Sequence, residues 1–482
     1  MNADMKHKLL FCAGALLLSG TLAAQTSVPE WQAGVDKVKS LITTNPEQAS
    51  ETAGELLKGK NKKNISLVVS VACAYLNAGK LTEAENYLKM AQKADKKAAS
   101  VSVLEGDIAL ARKDVGRACQ LYEQAIYFDP NYKEAYLKYA RAYKSASPSQ
   151  AIDKLRQLKE MAPEYLEADK ELAGIYYATN RFGEAVETYA KFIDTPVATE
   201  DDILKYAFAL FLNHDFEKSL AVVQKGLQKN GRHAAFNRLA MYNYTDLKRY
   251  NEAEQAADAF FNASDNADYS SLDYRYHGSL LNALKKYDQA IDAYGKALEK
   301  DSTQTDIWRE MADVYESGNN YSQAIAAYRK YYDILSQDKK TVESLFRFGR
   351  LYYGQGTSPD TLSIQPADRM AALQAADSVF AQVTQQAPDS YLGNMWRART
   401  NSAMDPETTE GLAKPYYEKV AEMLLEKNEP RYNSALIECY SYLGYYYLLK
   451  SDYPASKEYW NKILAIDPTN AIAKKALDGI KL

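Results

Sequence analysis

Apolar residues recur along this chain at the helical intervals i, i+3, i+4 and i+7, in stretches separated by short polar turns. The stretches come in pairs, and the pairs share a register. A small residue stands at Ala84, Ala118, Ala151, Ala185, Ser219, Ala253, Ala290, Ala324, Ala376, Ala413 and Ser456. Its first five intervals are 34, 33, 34, 34 and 34 residues, and Ala290 to Ala324 is again 34. Four places later a large residue follows: Leu88, Tyr122, Leu155, Tyr189, Val223, Tyr294, Tyr328, Phe380, Tyr417 or Trp460, with Ala257 the one break. Twelve places earlier many copies carry a second small residue, as at Ala72, Gly106, Ala173, Ala207, Gly278, Ala312 and Gly444. Such columns predict two antiparallel helices per copy, touching at the small residues, with the large ones filling the gap to the next pair. One pair cannot bury its apolar face alone, so the copies must stack.

The departures predict where the array is irregular. The third copy is one residue short, with Pro148 ahead of its second helix. The sixth is followed by a polar run from Asn262 to Asp268, which predicts a break near residue 265. The ninth gains a loop of residues 354–369 containing Gly354, Gly356, Pro359 and Pro366, and the tenth places Glu410 where an apolar residue is expected. Upstream, Trp31 to Lys60 reads as a divergent helix pair, and Asn470 to Leu477 as a terminal capping helix.

The layout resembles the tetratricopeptide repeat (TPR). It is carried most clearly by Gly106, Ala118, Tyr122, Ala125 and Pro130, by Trp308, Ala312, Tyr315, Ala324 and Tyr328, and by Tyr440, Gly444, Tyr447, Ser456, Trp460 and Pro468. The signature residues also include Ala84, Ala185, Tyr189, Ala290 and Tyr294. The resemblance covers roughly residues 64–482. It implies an all-α, right-handed α-solenoid superhelix of about eleven helix pairs, plus the N-terminal pair and the cap. The expected organisation is 1–24 a signal peptide, 25–63 the divergent pair, 64–264 repeats one to six, and 265–482 repeats seven to eleven with the cap.

Composition adds limits. Gly (22) and Pro (14) are too sparse in 482 residues for an all-β protein, which needs frequent turns. A formal charge of −4 gives no footprint for nucleic acid. Lys6, His7 and Lys8, the apolar run from Leu9 to Leu18, and small residues through Ala24 form the layout of a secretory signal peptide cleaved after Ala24. The expectation is an exported protein, periplasmic or peripheral to the outer membrane, without an integral membrane span. Tyrosine-rich sequences of this kind resemble periplasmic TPR proteins of Bacteroidetes. Cys73, Cys119 and Cys439 are scattered, and the four histidines form no ligand spacing, so neither a metal nor a disulfide framework is expected.

No nucleophile elbow, zinc-protease helix or phosphate loop occurs in the sequence. The expectation is a protein without catalytic residues or cofactor, binding a protein or peptide. The TPR resemblance implies that the first helix of each pair lines a concave face, at positions three and six before its small residue and one and four after it. That register selects Lys170, Tyr177, Leu204, Phe208 and Phe211 in repeats four and five. In repeats seven to nine it selects Arg275, Arg309, Phe346, Arg350 and Tyr353, and in ten and eleven Met395, Arg399 and Tyr445. Arginine in four consecutive repeats, flanked by aromatics, fits an acidic segment or the C-terminus of a partner protein. The alternative is that these arginines pair with acids such as Asp306, Asp313, Glu316 or Glu343. The aromatics leave open a second function, binding of carbohydrate or peptidoglycan on stacking platforms. The scaffold expectation places the protein in envelope assembly, secretion or polysaccharide handling.

Overall fold

A computed structural model describes residues 29–358, 364–427 and 429–480. The signal-peptide expectation lies outside them. Two compact units divide the protein between Asn243 and Tyr244. Each is an array of antiparallel helix pairs. The leading pair is α1 (Gln32–Thr44) and α2 (Pro46–Leu56). Five repeats follow: α3 (Ile65–Asn77) with α4 (Leu81–Ala94), α5 (Ala99–Ala111) with α6 (Val115–Phe128), α7 (Lys133–Tyr143) with α8 (Pro148–Met161), α9 (Leu166–Ala178) with α10 (Phe182–Tyr189), and α11 (Glu200–Leu212) with α12 (Phe216–Lys229). The division falls inside α13 (Ala234–Asp246), which pairs with α14 (Tyr250–Asp258). Then come α15 (Ser271–Ala283) with α16 (Tyr287–Lys300), α17 (Asp306–Ser317) with α18 (Tyr321–Ile334), and α19 (Val342–Thr357) with α20 (Pro366–Gln386). The last pairs are α21 (Tyr391–Met404) with α22 (Lys414–Lys427) and α23 (Asn433–Leu449) with α24 (Tyr453–Ile466), closed by α25 (Ala471–Gly479). Eleven pairs, a leading pair and a cap are what the register predicts.

The reason lies in one contact repeated along the array. All eleven small-column residues, Ala84 through Ser456, have no exposed surface. The two serines in that column use their hydroxyls inward: Ser219 donates to the Ala207 carbonyl and Ser456 to that of Gly444, each at 2.8 Å. The large residues four places on are all buried, from fully enclosed Tyr122, Tyr189 and Phe380 to Leu88 at 7 % exposure. They press on the partner helix where it carries its own small residue. A Cβ added at Gly106 would stand 2.6 Å from the Tyr122 ring, and one at Gly444 2.7 Å from Trp460.

The turn between the two helices of a repeat is equally regular. A residue with positive φ sits two places before the second helix at Gly79, Lys113, Asn180, His214, Lys248, Lys285, Asn319 and Ser451. The next backbone N–H then reaches back to a carbonyl of the first helix, as in Asp114 to Ala109 (3.0 Å), Lys286 to Leu281 (2.8 Å) and Asp452 to Tyr447 (2.9 Å). This is the 6→1 bond of a Schellman turn, which satisfies a carbonyl that the helix end would leave open.

The irregular copies differ from expectation in instructive ways. The break expected near residue 265 is packed shut. The backbone turns through a π-helical segment, Ala259–Ala263, that buries Phe260 completely and so replaces the large residue missing at Ala257. Tyr269 stacks edge-on against Phe260 (5.3 Å) and donates its hydroxyl to the Phe261 carbonyl (2.9 Å). The loop expected at 354–369 is shorter, because α19 runs on to Thr357 and α20 begins at Pro366. In the tenth repeat the second helix starts late, and a loop replaces the usual turn. Asp405 organises it by accepting N–H bonds from Thr409 (2.9 Å), Glu410 (3.0 Å) and Gly411 (2.7 Å). Burial opposes the Asp405 charge, but these donors outweigh it and hold the carboxyl below its usual range.

The helix contact predicts a pair of opposite effects. Gly444→Val forces a branched side chain against Trp460 and should cost about 2 kcal/mol, within the range for overpacked cores. Gly174→Ala, where nothing lies within 4 Å of the new methyl, should gain up to about 1 kcal/mol of helix propensity. Urea midpoints read both; equal effects at the two sites would contradict the packing account.

Candidate functional site

The register-derived face becomes a real surface in the C-terminal unit. Leu272, Arg275, Ser279 and Asn282 of α15 stand six and three before, and one and four after, the small residue Gly278. Together with Arg309, Glu310 and Asp313 of α17, and with Asp246 and Tyr276, they line an open cavity of about 490 Å³. The sequence thus brings Arg275 and Arg309 to one place. The charge of Arg275, however, is met by Glu310, and two further carboxylates of the cavity, Asp246 and Asp313, are engaged by other side chains. The Arg275 Nε lies 3.0 Å from both oxygens of Glu310. Asp246 accepts the Tyr276 hydroxyl at 3.0 Å, and Asp313 accepts from Arg347 at 2.8 Å. Among the described residues the one carboxylate within 4 Å of Arg309 is that of Asp306, one turn away on its own helix, at 3.9 Å.

The Arg275–Glu310 pair belongs to a wider pattern. First helices of successive repeats are clasped by acid–base pairs: Asp107 with Lys138 (2.8 Å), Arg141 with Glu171 (2.7 Å), Lys170 with Asp202 (2.9 Å), Asp313 with Arg347 (2.8 Å) and Arg399 with Glu438 (2.7 Å). The last is bidentate, with Arg399 Nε and Nη2 each on one Glu438 oxygen, and Tyr417 donates to the same carboxylate at 3.2 Å. Two of the four expected binding arginines, Arg275 and Arg399, therefore hold repeats together. Lys170 does the same, and also donates to the Val197 carbonyl at 3.0 Å.

Arg350 is different. It is exposed, forms no ion pair among the described residues, and lies over the Trp396 ring at 5.7 Å. Arg399 faces the same ring at 5.2 Å. Tyr353 and Phe346 meet Trp396 edge-on, at centroid distances of 5.2 and 5.7 Å, and Phe380 backs the group at 5.5 Å. All three ring residues on this side, Phe346, Tyr353 and Trp396, are half-buried. The site is a partly open aromatic platform with one uncommitted guanidinium on it. The register does not select Trp396, because it falls between the face positions of α21; the rarity of tryptophan in this sequence is the signal that points to it. On α23, Tyr445 is 43 % exposed.

Other expected residues fall elsewhere. Met395 is a core residue at 2 % exposure. In the N-terminal unit Tyr177 packs edge-on to Phe182 at 6.0 Å, and Phe211 contacts Phe216 (5.5 Å) and Tyr242 (5.8 Å), so both serve helix packing. Phe208 and Leu204 are half-buried. Cys119 and Cys439 are buried thiols, and burial pushes both above their usual range, that of Cys119 to about 11. Among the described residues no helix is long and apolar enough to cross a membrane.

Sequence models described as tetratricopeptide repeats match residues 72–133 and 281–331, one stretch in each unit. Both stretches are tetratricopeptide repeats. Among curated proteins this TPR protein is similar to small glutamine-rich tetratricopeptide repeat-containing protein 2 of Mycosarcoma maydis, with 30% identity over 106 residues. That match spans 22% of this chain and 30% of the relative. Among solved structures it is similar to the C-terminal part of a TPR protein from Cytophaga hutchinsonii, at 28% identity over 57% of this chain and 99% of that one, with a TM-score of 0.46. A TPR protein from Parabacteroides merdae is 15% identical over 52% of this chain and 98% of its own, with a TM-score of 0.34.

The clasp geometry predicts a measurable coupling. In a double-mutant cycle of Arg399→Gln and Glu438→Gln, the pair should show about 0.5–1 kcal/mol of interaction, shrinking in high salt because both groups are about a third exposed. Strict additivity would remove the clasp from the account.

Proposed function

We propose that this TPR protein is a non-catalytic adaptor that captures a protein partner on the first-helix face of its C-terminal unit. The observation that carries this is the platform of Phe346, Tyr353 and Trp396 bearing Arg350, whose charge no carboxylate of the described residues neutralises. An acidic residue of a partner segment would be held by Arg350, with an adjacent apolar side chain on the rings. Aromatic and arginine side chains of this kind dominate interface energetics because they offer large, rigid contact area at low entropic cost. The polar cavity at Arg275 and Arg309 contributes breadth, and its three carboxylates make it a poor seat for an acidic tail. The reading includes export by the N-terminal segment and action in the periplasm, in envelope assembly, secretion or polysaccharide handling.

Selection of peptides from a random display library against the mature protein tests the adaptor reading. Enriched sequences should pair Asp or Glu with an apolar or aromatic residue. Arg350→Glu and Trp396→Ala should each weaken the best peptide about tenfold or more, while Arg309→Ala changes it little and the thermal melts of the two arginine variants stay near wild type. Enrichment without acidic residues, or full binding by Arg350→Glu, would contradict it.

A further inference from the structure

We propose that one edge of the N-terminal unit docks on the surface of a bilayer rich in anionic phospholipid. It is the edge where second helices end and the next first helices begin. Between α2 and α3 the chain reads Lys58-Gly59-Lys60-Asn61-Lys62-Lys63, and from the end of α4 to α5 it runs through Lys93, Asp95, Lys96 and Lys97. Because α3 and α4 are antiparallel neighbours, the start of α3 lies beside the end of α4. The short 3₁₀ turn Gly59–Lys63 packs against both helices. Seven lysines thus share one edge in a protein whose formal charge is −4.

These lysines are held outward. Asn61 pins the turn by donating to the Leu56 carbonyl at 2.8 Å, Gly59 supplies a left-handed step with φ of 59°, and Asn64 caps α3 by accepting the Leu67 N–H at 3.2 Å. No residue of Gly59–Lys63 is buried. Lys58 pairs with Glu55, but Lys60, Lys62, Lys63, Lys93, Lys96 and Lys97 are exposed and form no ion pair among the described residues. Asp95 accepts the backbone N–H of Lys97 at 2.8 Å, so it shapes the second turn and sets one negative charge against three lysines. After α8 the exposed charges of the corresponding turn are Glu160 and Glu164, so the basic excess is local. Like charges gathered this way repel one another, and an anionic surface relieves that repulsion.

A further feature of the same edge selects the partner. α5 returns alongside α4 and pairs antiparallel with α6, so the end of α6 reaches the edge where α4 ends. There Tyr127 is 81 % exposed, more than any other large apolar side chain of the described residues, with the Phe128 ring beside it at 5.8 Å. A tyrosine ring with a polar tip suits the headgroup layer of a bilayer, which is apolar below and wet above. The cations at this edge are all lysines. Ammonium groups on flexible stems act as point charges without a fixed partner geometry, which suits laterally mobile headgroups. A site for a phosphopeptide or a nucleic acid would draw on arginine forks instead.

Flotation of the mature protein with vesicles tests the assignment, comparing pure phosphatidylcholine with vesicles containing about one third phosphatidylglycerol. The protein should float with the anionic vesicles alone and be released in high salt, where screening shortens the reach of each charge. Each lysine near an anionic surface is worth about fivefold, so Lys60→Gln, Lys62→Gln and Lys63→Gln together should weaken binding about a hundredfold. Lys96→Gln with Lys97→Gln should weaken it about twentyfold. Lys474→Gln with Lys475→Gln removes the same charge from α25 and should change it little. Tyr127→Ala should weaken binding severalfold while the salt dependence stays as it was. Every substituted side chain is exposed, so the thermal melts should match wild type. Equal flotation with both kinds of vesicle, none with the anionic ones, or an equal loss from the α25 pair would overturn the proposal. Capture by heparin as tight as by anionic vesicles, unaltered in Tyr127→Ala, would overturn it in favour of a soluble polyanion.

Discussion

Everything in this protein depends on a contact between a residue too small to hold two helices apart and a large side chain four places later that fills the next gap. The small column has no exposed surface in any of its eleven copies, and the large column is buried throughout. A helix pair built on this contact still presents an apolar face, so each repeat is completed by its neighbour. The Schellman turns add the second constraint. By spending a left-handed residue at positions such as Lys113 and Lys285, they fix the angle at which the second helix returns. Strain at that residue is tolerated because the turn closes a helix carbonyl that would otherwise need water.

Stacking alone leaves the first-helix face polar and open, and charge then decides what that face does. Where an acid of one repeat meets a base of the next, as in Asp107–Lys138 or Arg399–Glu438, the face is stitched and its cations are no longer available to a partner. Among the described residues Arg350 has aromatic company and no ion pair. Its guanidinium is weakly hydrated and lies over a π-face, which preserves its ability to grip a carboxylate in a fork. Whether an arginine stitches repeats or keeps its charge uncommitted is thus set by the neighbouring repeat, and not by the position that the arginine occupies in its own.

The fold was legible because a period near 34 residues is visible without any contact information. Even the weak tenth copy held its place, since Ala413 and Tyr417 keep the register although the helix begins only at Lys414. The site was legible only in part. Register located the face and drew Arg275 and Arg309 to one cavity, but it could not say that Glu310, on the first helix of the next repeat, would claim Arg275. Pairs between successive first helices recur at about one repeat length, and that spacing was the overlooked signal. Trp396 escaped for a different reason: it sits between register positions and reaches the face by its size. Packing likewise drew Tyr177 and Phe211 into helix contacts and buried Met395, a decision made by tertiary neighbours that helical periodicity does not contain.

The face around Arg350 and Trp396 is expected to meet a partner, and the stitched face is not. Photo-crosslinking in living cells, with a photoreactive residue placed in turn at positions 350, 396 and 309, addresses this most directly. The account predicts a common protein adduct from 350 and 396 that is absent or much weaker from 309. Adducts of equal strength from all three positions, or none from 350 and 396, would contradict it.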